Sequence, residues 1–217
     1  MLKRKLYHVR AAVLGSKHRE TVATLASFAF NCRKSGDMQS ALEAYEAVYR
    51  IRRETLGENH EDTIGTLTSI AFLCRTTEKF EEAEKAFCKL YEAKRETLGE
   101  HHEDTLNALD AWAYACADAG NMEKSIELYK KIYAYFEAMG KREENMAMIA
   151  LQNIAWSYGK TGNLKKSAEF YLKAYEARKS ALGEEHETTK KMLARYTEAQ
   201  ALMKDEKKPP RSRRKKK

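Results

Sequence analysis

The chain has 217 residues, of which 33% are charged, and its formal net charge is +8. Both prolines, Pro209 and Pro210, lie near the C-terminus, so nothing upstream of them interrupts helices. No apolar run approaches the roughly 18 residues of a membrane-spanning helix, and no apolar segment follows the basic first residues as in a secretion signal. Four cysteines without framework spacing are typical of a reducing compartment. We therefore expect a cytoplasmic or nuclear protein without a membrane partner.

A short sequence returns along the chain at intervals of 42 residues. Residues 54–63, Glu-Thr-Leu-Gly-Glu-Asn-His-Glu-Asp-Thr, reappear in closely similar form as residues 96–105, and weaker copies surround Gly15 and Gly183. A second marker keeps the same interval and consists of Gly36, Glu78, Gly120 and Gly162. Two markers in one register over most of the chain predict an array of helical repeats.

The first residues resemble the end of one repeat. Leu6, Tyr7 and Val9, followed by Leu14 and Gly15, match the last turns of a second helix. No matching first helix precedes them in the sequence, so we expect that the chain is a fragment or lacks an N-terminal part.

The second repeat shows how each repeat should fold. Asp62 and Thr63 are good N-cap residues for a first helix, whose apolar residues then recur at helical spacing as far as Cys74. The polar residues 76–79 end that helix, and a second helix is predicted from about Phe80 to Thr97. Gly99 then stands where a left-handed C-terminal cap is expected. Four complete helix pairs are predicted on this pattern, at about residues 20–57, 62–99, 104–140 and 146–183.

Small residues recur at fixed places in the predicted helices. The first-helix column is Ala29, Ala71, Ala113 and Ala155, and its second-helix partner is Ala41, Ala83, Ser125 and Ser167. Large residues occupy the neighbouring columns, and a further column is tyrosine throughout: Tyr49, Tyr91, Tyr133 and Tyr175. Small residues facing large ones allow helices to interlock, so we interpret these columns as the core.

The C-terminal part departs from the repeat pattern. Residues 188–204 should form a capping helix, because Thr197 and Glu198 replace the alanine and the aromatic residue of the earlier repeats. Residues 205–217 follow as a basic tail that is expected to be disordered. Such a tail acts as a nuclear import signal, as a weak contact to nucleic acid or acidic surfaces, or simply as a solubilising segment. Its cations are Lys207, Lys208, Arg211, Arg213, Arg214, Lys215, Lys216 and Lys217.

The first-helix pattern Leu-x-x-large-Ala, with a glycine seven residues after the alanine and small and aromatic residues in the second helix, resembles the tetratricopeptide repeat. The 42-residue period and the connection Leu-Gly-x-x-His-x-x-Thr resemble its kinesin-light-chain variant. The resemblance implies an all-α superhelix of four complete helix pairs with a half-pair at each end. It also implies a protein-interaction scaffold, not an enzyme, that binds a peptide or protein partner in a groove lined by the first helices.

Three first-helix columns are candidates for that groove. The aromatic residues Phe30, Phe72, Tyr114 and Trp156 lie about 100 degrees around the helix from the packing alanines, so they either grip a ligand or complete the core. The cations Arg33 and Arg75 could pair with acidic ligand residues or remain solvated. The polar candidates are Asp110, Gln152 and Asn153, of which Asn153 keeps the asparagine that the resemblance places beside the packing alanine.

The remaining reactive residues are explained more simply by structure. Cys32, Cys74 and Cys116 share one column, and stacked repeats about 8–10 Å apart are too distant for a disulfide or a zinc site. The loop histidines occur singly in each repeat and lack a second histidine four residues later, as a zinc-protease motif requires. We expect no cofactor, no metal and no enzymatic activity. The alternative function is a nuclear or nucleic-acid-associated protein acting through the basic tail.

Overall fold

The computed structural model describes residues 2–206 of the chain. Within those residues the regular secondary structure is entirely α-helical, as the sequence predicted, and strands are absent from that range. Its ten helices are α1 (Leu2–Leu14), α2 (Arg19–Lys34), α3 (Met38–Leu56), α4 (Glu61–Thr76), α5 (Phe80–Leu98), α6 (Glu103–Asp118), α7 (Met122–Ala138), α8 (Asn145–Lys160), α9 (Leu164–Leu182) and α10 (Glu187–Glu206).

Contacts within the chain define two compact units, Met1–Ala119 and Gly120–Lys217. In the first unit, each of the helices α1 to α5 packs against the next helix in the sequence, up to α6. In the second unit, α7 packs against α8, α8 against α9 and α9 against α10. Each unit therefore stacks antiparallel helices in sequence order, so that first helices alternate with second helices.

The small-residue columns form the core of each unit. Ala29, Ala71 and Ala113 in the first unit are fully buried, as is Ala155 in the second. Among their second-helix partners, Ser167 is the most exposed, at only 2%. Cys32, Cys74 and Cys116 are buried beside them as thiols, and burial is the main cause that raises the pKa of Cys74. The predicted packing role of these columns is confirmed.

The tyrosine column is packed through its rings, and in the second unit its hydroxyl groups reach polar partners. Tyr91 is buried, and the other three tyrosines are half-buried. In the second unit, the Tyr133 hydroxyl donates to Glu137 Oε1 at 3.2 Å, and the Tyr175 hydroxyl donates to Glu184 Oε1 at 3.2 Å. This is the arrangement expected for a phenol at the edge of a core.

The prediction that Asp62 and Thr63 cap the first helix of the second repeat was wrong. The N-cap residue is His60, whose Nδ1 accepts the backbone N–H of Asp62 at 3.1 Å. His18 and His102 make the same bond, to Glu20 at 3.3 Å and to Asp104 at 3.1 Å. The recurring loop histidine is therefore a helix cap, and the acidic residue that follows lies in the first turn, where the helix dipole favours its charge.

The glycine that ends the second helix has a more extreme conformation than the predicted left-handed cap. Gly99 has φ 89° and ψ 161°, a combination that is essentially restricted to glycine. The turn between the paired helices is different, because Glu78 occupies a positive φ of 59° where the other three repeats carry glycine. The two sequence markers therefore reflect different backbone conformations: one that only glycine adopts readily, after the second helix, and one with positive φ that Glu78 also adopts, between the paired helices.

Candidate peptide-binding surface

The aromatic column lies at the protein surface, next to the buried alanines. In the first unit, Phe30, Phe72 and Tyr114 are 47%, 44% and 45% exposed. In the second unit, Trp156 is 41% exposed. Each side chain immediately follows a fully buried alanine on its helix, and Phe72 rests edge-on against the buried ring of Phe87 with the ring centres 5.2 Å apart. Phe72 is therefore anchored at the core, and all four rings present part of their surface to solvent.

Each of these aromatic rings lies close to a cation. In the first unit, the guanidinium of Arg33 lies 5.4 Å from the centre of the Phe30 ring, and that of Arg75 lies 5.8 Å from the Phe72 ring and 4.9 Å from the Tyr114 ring. These distances are within the range of cation–π attraction. Arg75 therefore bridges the second and third repeats, and the two arginines predicted from the sequence belong to the aromatic surface.

The second unit has the same pairing with a different residue. Lys160 Nζ lies 5.3 Å from the centre of the Trp156 ring. Lys160 was not among the predicted residues. The position that holds Arg33 and Arg75 in the first two repeats holds Gly159 in the fourth, and Lys160 lies one residue further along the helix. A lysine four residues after an exposed tryptophan is the sequence signal that could have identified it.

Two carboxylates of α6 lie within the electrostatic influence of Arg75. Burial raises the pKa of the predicted residue Asp110, and the positive charge of Arg75 opposes that rise. Asp118, which was not predicted, shows the same two effects. Asp110, Tyr114 and Asp118 are spaced four residues apart and share one face of α6. This acidic and aromatic stripe was visible in the spacing, but its relation to Arg75 depends on the side chain of Arg75 on α4 reaching the Tyr114 ring on α6.

The remaining predicted residues lie on α8. Gln152 is half-buried, and its Oε1 accepts a hydrogen bond from Arg178 Nη2 at 3.1 Å. Arg178 itself is 6% exposed, and burial lowers the pKa of its guanidinium. Asn153 is half-buried beside it. Gln152 is therefore already engaged within the second unit, whereas Trp156 on the same helix is available at the surface.

Other sequence predictions concern residues or features away from this surface. The basic tail residues, from Lys207 to Lys217, lie outside the described residues. None of the described helices has the length and apolar character that crossing a membrane requires. Within the same range, there is no group of three or more His, Cys, Asp or Glu side chains placed to hold a metal ion.

Comparison with known sequences decides the family. A sequence model described as a tetratricopeptide repeat matches residues 20–96, 66–138 and 104–180. The chain belongs to the tetratricopeptide repeat family. Members of this family generally act in protein–protein interaction rather than in catalysis. A search of curated proteins returned no match.

Solved structures show the same tetratricopeptide fold. The nearly identical TPR-like repeats assigned to a kinesin light chain of Podosopora anserina share 19% sequence identity, with a TM-score of 0.71 over 83% of this chain and 86% of that one. BtubC (BKLC) from P. vanneervenii is 15% identical, with a TM-score of 0.58 over 99% of this chain and 91% of its own. The resemblance to kinesin-light-chain-type repeats is thereby confirmed at the level of fold.

Proposed function

We propose that this chain is an interaction scaffold whose exposed aromatic and cationic side chains bind a peptide segment of a protein partner. The observation that carries the proposal is the set of four exposed aromatic rings, one in each repeat, each within 5.8 Å of a cation. Exposed apolar surface beside charged groups is characteristic of interaction sites. Tyr, Trp and Arg are also the residues that most often dominate the energy of an interface.

The arrangement fits a peptide better than a small molecule. The rings occupy successive repeats of the array and offer flat faces rather than one enclosed cavity. Apolar or aromatic ligand side chains would lie on the rings, and ligand carboxylates would meet Arg33 and Arg75, whose planar guanidinium groups can form paired hydrogen bonds. Each ring already contacts a cation, and Phe72 also rests on the core, so less conformational entropy is lost when they bind.

Asp110 and Asp118 add a selective element to the first unit. Their partial burial disfavours the charged form, as the raised pKa of each carboxyl group shows. A donor group from the ligand, such as a backbone N–H or a lysine, would compensate that desolvation on binding. Arg75 provides the opposite charge beside them, so the surface can distinguish ligands by the order of their charges.

The proposal is tested by removing one exposed ring from each unit. The double substitution Tyr114→Ala with Trp156→Ala should reduce the amount of partner that co-purifies with the full chain by about tenfold or more. A matched control is Leu56→Ala with Leu98→Ala, because these two side chains are 45% and 44% exposed but lie at the C-terminal ends of the second helices α3 and α5. Far-UV circular dichroism and thermal melting establish that both variants are folded.

Loss of the partner in the ring variant alone supports the proposed surface. Retention of the partner by a folded ring variant contradicts it, and equal loss in the leucine control would mean that the surface is not specific. The same experiment with a chain ending at Lys204 measures what the basic tail contributes. If binding depends on that tail and not on the rings, the nucleic-acid or nuclear hypothesis replaces the scaffold.

A further inference from the structure

Three lysines of the second unit converge on one pair of aromatic rings. The rings of Tyr158 on α8 and Phe170 on α9 lie with their centres 5.7 Å apart. Lys130 Nζ and Lys166 Nζ lie 5.3 and 5.1 Å from the centre of the Tyr158 ring. Lys173 Nζ lies 4.9 Å from the centre of the Phe170 ring, and Lys130 Nζ lies 6.0 Å from it. The ammonium groups of Lys130, Lys166 and Lys173 therefore surround one small area, which we call the lysine cluster.

The lysine cluster lies on a different face of α8 from the exposed aromatic ring of that helix. Tyr158 follows Trp156 by two residues, which places their side chains about 200 degrees apart around the helix. Lys130 belongs to α7, and Lys166 and Lys173 belong to α9, so all three lysines lie on second helices. The cluster is therefore separate from the aromatic surface that the first helices present.

The rings beneath the lysines are specific to the fourth repeat. The first three repeats have buried cysteines at the position of Tyr158, and alanine or leucine at the position of Phe170. Tyr158 is 8% exposed and Phe170 is half-buried, so the two rings form a packed base for the exposed lysines. The Tyr158 hydroxyl also accepts a hydrogen bond from Lys130 Nζ at 2.8 Å, which holds that ammonium group in place.

Two of the three lysines have no carboxylate partner among the side chains that the structure describes. Lys173 pairs with Glu169 at 3.1 Å, whereas Lys130 and Lys166 form no ion pair within that part of the chain. Lys166 also lies in the first turn of α9, where the helix dipole favours an anion over a cation. An anion between Lys130 and Lys166 would offset both the repulsion between the ammonium groups and the effect of the dipole.

The surroundings of the cluster fit one phosphate group better than a nucleic acid. A phosphate monoester carries a charge of about −2 at neutral pH and has three acceptor oxygens for several ammonium groups. Bases of a single strand need exposed rings on which to stack, and the Tyr158 ring is buried. Exposed carboxylates border the cluster, because Glu127 lies one turn before Lys130 on α7. Glu169 lies one turn before Lys173 on α9, so a row of phosphates would meet negative charge on both helices.

From this geometry we infer that the lysine cluster binds the phosphate group of a phosphorylated serine or threonine in a protein partner. The inference goes beyond the proposed peptide-binding surface, because it assigns a second contact to α7 and α9. It also makes association through that contact dependent on phosphorylation of the partner.

The test is an NMR titration of the full chain, with the backbone signals of the first turn of α9 as the readout. The probes are capped Gly-Gly-Ser-Gly-Gly peptides whose serine is either phosphorylated or unmodified. The phosphorylated peptide should bind with a Kd at least about tenfold lower, since it adds hydrogen bonds between charged groups. Added salt should reduce that advantage.

Lys130→Gln with Lys166→Gln should raise the Kd of the phosphorylated peptide by about tenfold. The matched control is Lys131→Gln with Lys165→Gln, which removes the same charge from the neighbouring positions of the same two helices. Lys131 pairs with Glu127 at 3.3 Å, and Lys165 is exposed, so this control should change the Kd by less than about twofold. All four side chains are exposed, and both variants should fold as the parent does.

The inference is overturned if the two peptides bind equally, or if the control pair weakens binding as much as the cluster pair does. Inorganic phosphate that binds as tightly as the phosphorylated peptide would replace the protein segment with a free ion. A single-stranded thymidine oligonucleotide that binds more tightly through the same lysines would assign the cluster to nucleic acid, and either result overturns the inference. The proposed aromatic surface is tested separately, by the Tyr114 and Trp156 substitutions, because the two sites share no residue.

Discussion

A cation at one position of the repeat has a carboxylate partner in the first unit and a neutral partner in the second. In the first unit, Arg10, Arg52 and Lys94 stand 42 residues apart at the ends of second helices. Arg52 pairs with Asp62 at 3.4 Å and donates to Thr66 Oγ1 at 2.8 Å, and Arg10 repeats this arrangement with Glu20 and Thr24. Lys94 pairs with Asp104 at 3.2 Å.

In the second unit, Arg178 occupies the corresponding position without the corresponding partners. Thr188 and Met192 of α10 replace the carboxylate and the threonine of the first unit. Arg178 is buried, its Nε has no hydrogen-bond partner, and its guanidinium turns to the neutral Gln152 at 3.1 Å. No ion pair to Arg178 is found among residues 3–204. In the first unit the cation at this position therefore links two helices through an ion pair, whereas in the second unit it is a buried charge without a carboxylate partner. The residues of the following helix determine which of the two arrangements forms.

The largest change in the free energy of unfolding is expected when a substitution places a carboxylate next to Arg178. Gln152→Glu keeps the shape of the side chain and converts the 3.1 Å contact into a buried, charge-assisted hydrogen bond. We expect the free energy of unfolding to rise by about 2 kcal/mol. Urea denaturation measures the change, and the gain should vanish when Arg178→Met is also present. A gain that persists without Arg178 would show that the guanidinium is not responsible.

The same substitution in the two units should then give different results. Arg52→Met removes an ion pair and a hydrogen bond to Thr66 and should lower the free energy of unfolding by about 1 kcal/mol. Arg178→Met should change it by less than about 0.5 kcal/mol, because the lost hydrogen bond is offset by relief of the buried charge. Equal destabilisation in both variants, measured by thermal or urea unfolding, would contradict the distinction between the units.

Much of the fold was predictable because its signals are local. Helical spacing and residue size place Ala71 and Ala113 in the core without knowledge of the neighbouring repeat. The helix caps were harder to predict. Residue preferences favoured Asp62 as the N-cap, whereas the backbone geometry of the loop makes His60 the N-cap residue. The bond that His60 accepts depends on where the chain turns, and residue preferences alone do not fix that position.

The candidate surface was only partly predictable. The aromatic column lies at the margin between core and solvent, and its spacing alone left both interpretations open. Arg178, by contrast, could have been found from its 42-residue register with Arg10 and Arg52, although its burial and its hydrogen bond to Gln152 of another helix could not. Contacts between repeats involve side chains that are distant in sequence, so spacing within one helix does not reveal them.

Asp110 is a partly buried anion, as Arg178 is a buried cation, and its substitution is expected to change the free energy of unfolding least. It stands one period before Gln152, and burial raises the pKa of its carboxyl group while Arg75 opposes the rise. The folded chain therefore binds this proton more tightly than the unfolded chain does. The protonated carboxyl contributes stability that is complete below its ordinary pKa of 3.8 and is lost as the pH rises through the higher folded pKa.

Asp110→Asn should accordingly raise the free energy of unfolding at neutral pH, by less than about 1 kcal/mol, and the gain should shrink toward zero near pH 4. Urea denaturation of both proteins across that range measures the difference. Asp104→Asn is the control of opposite sign, because Asp104 is paired with Lys94 at 3.2 Å and its loss should destabilise the chain at neutral pH. A gain from Asp110→Asn that is independent of pH would mean that the hydrogen bonding of the amide, and not the loss of a desolvated charge beside Arg75, causes the stabilisation.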